Sequence, residues 1–148
     1  MKPLARLLVD LPNHWSSRRT EGLWARQVGE DLYELEDVPF FAYGLNRRDL
    51  VRTKRRSRLV REVVRWRGHT TFRMVFRDAG TPARHRSLLD ELVAMKVSAA
   101  TWTDDFFALD APPDSDVDAL HEHLERLEAQ DLLGFETCEA RRPGTFDG

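Results

Sequence analysis

The chain has 148 residues, 41% hydrophobic and 32% charged, with a formal net charge of −2. That length supports one ordinary domain or two small ones with a substantial core, and the composition excludes a disordered or low-complexity chain. Cys138 is the sole cysteine, which excludes an intramolecular disulfide framework and a cysteine-rich zinc site.

The opening residues are apolar, but Arg6 and Asp10 interrupt them and no small-residue cleavage site follows. No run approaches the ~20 apolar residues of a membrane span. The expectation is a soluble, cytoplasmic protein. Its charge is polarised. Residues 47–77 are rich in arginine against only Asp49 and Glu62, whereas residues 104–139 are acidic apart from Arg126. Such asymmetry points to an anionic partner, to mutual attraction of the two parts, or to a second copy of the chain in a homodimer.

Taken in order, residues 4–11 alternate as a strand, and Pro12-Asn13-His14 ends it. Residues 23–28 and 32–35 form a hairpin across Gly29-Glu30-Asp31. The aromatic stretch 37–44 contains Pro39, which cannot donate to a central ladder. Strands follow over 49–53 and 59–66, separated by the basic turn 54–58. Five short strands with regular turns predict a small SH3-like β-barrel over residues 1–68.

Residues 72–77 alternate again, with Phe72, Met74 and Phe76 on one face. Thr81-Pro82 is a helix start, a hydroxyl cap followed by proline in the first turn. Leu88, Leu92 and Met95 then lie at helical spacing. Residues 98–103 and 106–110 read as a hairpin. Ser115 or Asp116 caps a second helix with Val117, Leu120, Leu124 and Leu127 in one stripe. A last strand spans 133–140. Strand, helix, strand, strand, helix, strand predicts a ferredoxin-like βαββαβ unit over 69–140, followed by a flexible tail at 141–148. The fold class expected is therefore α+β, a barrel packed on a ferredoxin-like half.

Several phrases, in this order and spacing, carry a resemblance. They are Glu21-Gly22-Leu23-Trp24-Ala25, the stretch Asp37-Val38-Pro39-Phe40-Phe41-Ala42-Tyr43-Gly44-Leu45-Asn46, then Arg48-Asp49-Leu50-Val51, and Gly68-His69-Thr70-Thr71-Phe72-Arg73. Together they resemble the bacterial domain-of-unknown-function family 4265 over residues 4–140. Asp37 stands where asparagine is usual, and Arg67 where serine is common. The resemblance implies a fold and brings no established activity with it.

For function, His69, Thr70, Thr71 and Arg73 gather an imidazole, two hydroxyls and a guanidinium at the junction of the halves. Charge-assisted donors of this kind can hold an anion; the competing reading is that they satisfy backbone groups where a strand begins. Trp24, Phe40, Phe41, Tyr43 and Trp66 are either core or the lining of a pocket, with Trp24, Phe41 and Tyr43 as candidate ligand contacts. Lys54, Arg55, Arg56 and Arg58 are the alternative, a phosphate-tracking turn for nucleic acid.

His121 and His123 are two apart, so on a helix they diverge, and no metal site is expected. No glycine-rich phosphate loop or nucleophile elbow occurs, and no cofactor is called for. The sequence thus favours a non-enzymatic binding or regulatory module for a partner protein or small anionic ligand. Nucleic-acid binding comes second, and an enzyme using His69 as acid or base third.

Overall fold

The computed structural model describes residues 3–77 and 81–139. The expected tail at 141–148 lies outside the described residues. Five strands, β1 (Leu4–Asp10), β2 (Thr20–Gly29), β3 (Leu32–Leu35), β4 (Leu50–Thr53) and β5 (Val60–Arg65), follow one another as an antiparallel meander. The second sheet contains β6 (Thr70–Phe76), β7 (Ser98–Thr101), β8 (Phe106–Ala111) and β9 (Leu133–Thr137), in spatial order β7-β8-β6-β9 with every pair antiparallel. Helix α1 (Pro82–Ala94) connects β6 to β7, and α2 (Val117–Ala129) connects β8 to β9.

The sequence predicted an SH3-like barrel joined to a ferredoxin-like half, and the structure overturns that pairing. Among the described residues nine strands form two separate antiparallel sheets with two helices, and no barrel closes. Closure needs a continuous, staggered ladder between the first and last strands. Here β1 meets the approach to β5 at one parallel bridge, Leu8 to Leu59, where the Leu8 N–H donates to the Arg58 carbonyl at 2.8 Å. Two register shifts between β4 and β5 bend the last strand before more pairs can form. Bulges of this kind increase local twist and end pairing.

Each sheet buries one set of alternating residues. In the first, Leu23 and Ala25 of β2, Tyr33 and Leu35 of β3 and Val51 of β4 meet Leu7. Phe41, Ala42 and Leu45, from the irregular segment between β3 and β4, close this core. In the second, Phe72, Met74 and Phe76 of β6 and Phe107 and Leu109 of β8 face Leu88 and Leu92 of α1 and Leu120, Leu124 and Leu127 of α2. Both helical stripes therefore share one interior.

Local chemistry explains where the helices start. The Thr81 hydroxyl accepts from the Arg84 N–H at 3.3 Å with Pro82 at the first turn, and the Asp116 carboxylate accepts from the Ala119 N–H at 3.0 Å. These bonds satisfy donors that have no partner inside the helix.

The segment that closes the first core lacks a ladder of its own, so its backbone needs side-chain partners. Glu21, buried on β2, provides them. Its carboxylate accepts from the N–H groups of Phe40 at 2.7 Å, Phe41 at 3.1 Å and Ala42 at 2.8 Å. Replacing Glu21 with Ala leaves these donors unpaired, at an expected cost of about 3–5 kcal/mol in urea unfolding. Glu21→Gln keeps one acceptor oxygen and should lose roughly half as much. A Glu21→Ala midpoint equal to that of the parent protein would show that the three bonds contribute nothing.

Candidate functional site

Where β6 meets the first sheet, the sequence Gly68-His69-Thr70-Thr71 is held by geometry that only part of it can vary. Gly68 has φ of +90°, and a Cβ there would lie 2.8 Å from the Pro113 ring. Both the backbone angle and the space require glycine. The turn delivers His69 beside β8, because Thr70 and Thr71 pair with Ala111 and Asp110.

His69 Nδ1 lies 2.8 Å from Asp110 Oδ1. Asp110 is almost fully buried, and its second oxygen faces Arg47 Nη1 at 3.5 Å. With Arg47 opposite, Asp110 is the acceptor, so in the neutral ring Nδ1 carries the hydrogen and Nε2 presents a lone pair. Among the described residues Nε2 makes no hydrogen bond. The Trp66 indole N–H donates to the His69 carbonyl at 2.6 Å and fixes the same turn from outside.

These groups open onto a cleft of about 690 Å³ that is also lined by Asn46, Asp49, Thr70, Thr71, Asp118, His121 and Cys138. The Thr71 hydroxyl donates to Asn46 Oδ1 at 2.8 Å, and the Asn46 N–H donates to Asp49 Oδ2 at 2.8 Å. Burial pushes the Asp49 carboxyl up to about 6, against the pull of the Asn46 and Arg67 backbone N–H groups, the Asn46 side chain and His69 in its protonated form. Asp49 Oδ1 is buried without a hydrogen-bond partner. Desolvation likewise raises the Cys138 thiol to about 12, which keeps it protonated and a poor nucleophile.

The residues nominated from sequence do not form one site. His69, Thr70 and Thr71 line the cleft, but Arg73 does not. Arg73 is 2% exposed and locked between the sheets, with Nε on Glu136 Oε1 at 2.9 Å and Nη1 on the Ala42 carbonyl at 2.8 Å. Tyr43 lies beneath its guanidinium, the ring centroid 4.6 Å away. The Tyr43 hydroxyl accepts from the Trp15 indole and donates to Glu136 at 2.8 Å. Burial, then that bond and the charge of Glu136, raise the phenol to about 12.

Trp24 and Phe41 line a separate groove with Trp102. Lys54, Arg55, Arg56 and Arg58 are exposed on the β4–β5 turn and border neither cavity. Sequence reading missed Asn46 and Asp49 in the cleft lining and Asp110 buried behind His69. Asp110 lies 41 positions from His69, and only the β6–β8 register brings the two together.

Among the described residues no group of three or more histidines, cysteines or acids is placed to hold a metal ion. His121 and His123 diverge, toward Glu125 at 2.8 Å and Glu91 at 3.1 Å. No helix is long and apolar enough to cross a membrane, among the same residues.

The sequence profile described as "Domain of unknown function (DUF4265)" matches residues 21–135. The chain belongs to this family. The DUF4265 span includes Glu21, Asp49, His69, Arg73 and Asp110, and it leaves out β1, the Arg18 loop and Glu136. A crystal structure of a hypothetical protein from Neisseria gonorrhoeae matches with a TM-score of 0.74 and 18% identity, covering 94% of this chain and 95% of that one. At that identity the likeness shows the DUF4265 chain's fold alone. Comparison with curated proteins returns no match.

The raised carboxyl of Asp49 makes stability depend on pH in a definite sense. Its folded pKa of about 6 exceeds the ordinary value of 3.8, so folding favours the protonated form. That advantage is full below pH 4 and is lost as pH rises through 6. Asp49→Asn should therefore stabilise the protein by up to about 3 kcal/mol at pH 8 and hardly at all at pH 4. Equal effects at both values in denaturant titrations would refute the assignment.

Proposed function

We propose that this protein is a binding or regulatory module that takes a small polar ligand in the cleft beside His69. The observation that carries the proposal is the His69–Asp110 pair. A buried acid, itself faced by Arg47, fixes the tautomer of the neutral imidazole and leaves its Nε2 as an acceptor toward a cavity of ligand size. Asp49 and Asp118 border the same space, so a ligand offering hydrogen-bond donors fits the lining better than an anion does. The anionic ligand suggested by the sequence loses its strongest support because Arg73, its intended cation, is consumed by the seam between the sheets.

Binding is favoured over catalysis by the state of the neighbouring hydroxyl and thiol. Thr71 is committed to Asn46, and the Cys138 thiol is held protonated. A panel of small polar metabolites screened by thermal shift tests the reading. A true ligand at saturation should raise the midpoint by several degrees, as expected for about 3 kcal/mol of linkage at a hundredfold excess over Kd. His69→Gln should remove most of that rise. A shift that survives His69→Gln unchanged, or a panel without any shift, would remove the cleft from consideration.

One observation favours a second reading, His69 as a proton-transfer group. An acid that holds the imidazole in a single tautomer is also what general-base chemistry needs. Long-range nitrogen–proton NMR of the neutral ring should report the hydrogen on Nδ1, and Asp110→Asn should redistribute it between the two nitrogens. A mixed tautomer in the unmutated protein would contradict the geometry on which both readings rest.

A further inference from the structure

We infer that a second site lies on the opposite side of the junction, built to take a planar aromatic anion of the nucleoside-monophosphate class. The site is the groove of about 380 Å³ that runs between β1–β2 and the β7–β8 hairpin. Two guanidiniums border it, and each is held by an aromatic ring. Arg18 Cζ sits 4.7 Å from the Phe41 ring centroid and 4.9 Å from that of Trp102, while Arg6 Cζ sits 5.8 Å from Trp24. Among the described residues neither guanidinium takes part in an ion pair or a hydrogen bond beyond these ring contacts.

The groove's two acids are already committed. Glu21 accepts from the N–H groups of residues 40–42, and Asp37 Oδ2 accepts from the Trp24 N–H at 2.8 Å. Both Glu21 oxygens and Asp37 Oδ2 thus face backbone N–H groups, and Arg6 and Arg18 have donors to spare. Gly22 shapes the floor. A Cβ at this position would meet the Arg6 guanidinium at 2.5 Å, so the missing side chain lets Arg6 lie flat across β2 beside its cross-strand partner Trp24.

Trp24 and Trp102 remain 42% and 45% exposed, which is costly apolar area unless something stacks on it. A base can use an indole face, while a phosphate takes paired N–H donors from guanidinium. Arginines pre-stacked on rings lose less side-chain freedom when they grip an oxyanion. The volume fits one small ligand, which favours a free nucleotide over a strand of nucleic acid. The basic turn 54–58 does not border the groove, so this site is independent of the nucleic-acid reading of that turn and of the His69 cleft.

Tryptophan fluorescence of the whole protein tests the inference with AMP, GMP, CMP and UMP as probes. At least one should quench emission saturably at millimolar concentration or below. The matching nucleoside and inorganic phosphate should each bind at least tenfold more weakly. Arg18→Ala and Arg6→Ala should weaken binding tenfold or more, and Arg18→Lys should recover only part, because the planar stack is lost. Far-ultraviolet circular dichroism checks that these exposed substitutions leave the fold intact. His69→Ala should leave nucleotide binding unchanged, so failure here and failure of the cleft reading are separable. The inference is overturned if no mononucleotide quenches saturably, if Arg18→Ala binds as the parent does, or if only a single-stranded oligonucleotide binds.

Discussion

A buried cation sits at the seam between the two sheets. Arg73 leaves β6 on the face away from the helices and enters the seam, where its charge meets Glu136 on the adjacent strand β9 and its remaining donors reach carbonyls of the irregular segment between β3 and β4. A guanidinium taken out of water is tolerable only when charge and donors are both answered. Glu136, the Ala42 and Pro39 carbonyls and the Tyr43 ring answer all but Nη2, which stays without a partner. From the other side Glu21 grips the N–H groups of the same segment. Carbonyls are thus bound by one sheet and amides by the other, and a stretch with no ladder is fixed from both sides.

That constraint places the two cavities. The clamped segment runs on through Gly44, whose N–H donates to the Cys138 carbonyl, to Asn46 and Asp49 at the cleft. Its other end presents Phe40 and Phe41 to Trp102 and Phe106 at centroid separations between 5.0 and 6.3 Å. One side of the seam is therefore polar and titratable, and the other is aromatic and basic. Part of the polarised charge of the sequence is spent within the molecule. Arg47 faces Asp110, Arg73 faces Glu136 and Arg77 faces Asp131, so the basic middle and acidic C-terminal stretches meet across the fold.

What could be read from the sequence was whatever repeats locally. Strand alternation in β2, β3 and β6, the hydroxyl and carboxylate caps of the helices and the leucine stripe of α2 are each decided within a few residues. The barrel was misread because strand count and turn spacing are local, whereas closure depends on whether β1 and β5 align over their length. Arg73 was misassigned for a related reason. As a residue type it suits an anion, and only the approach of Glu136, 63 positions away, shows that its anion is internal. The Gly68-His69-Thr70-Thr71 phrase was visible as a polar cluster, but Asp110, which gives it direction, came from a separate strand with no distinguishing pattern.

The open end of the first sheet has a consequence for how this protein keeps company with itself. Beyond the single Leu8–Leu59 bridge, β5 carries exposed side chains on both faces, Val63, Val64 and the following Trp66 among them. Such an edge is a template on which another extended chain can add. Arg61 and Arg65 are spaced along it with Glu62, and like charges brought edge to edge repel. The arginine-rich character of this strand then serves as a guard against self-adhesion, one that high ionic strength weakens by shortening the range of the repulsion.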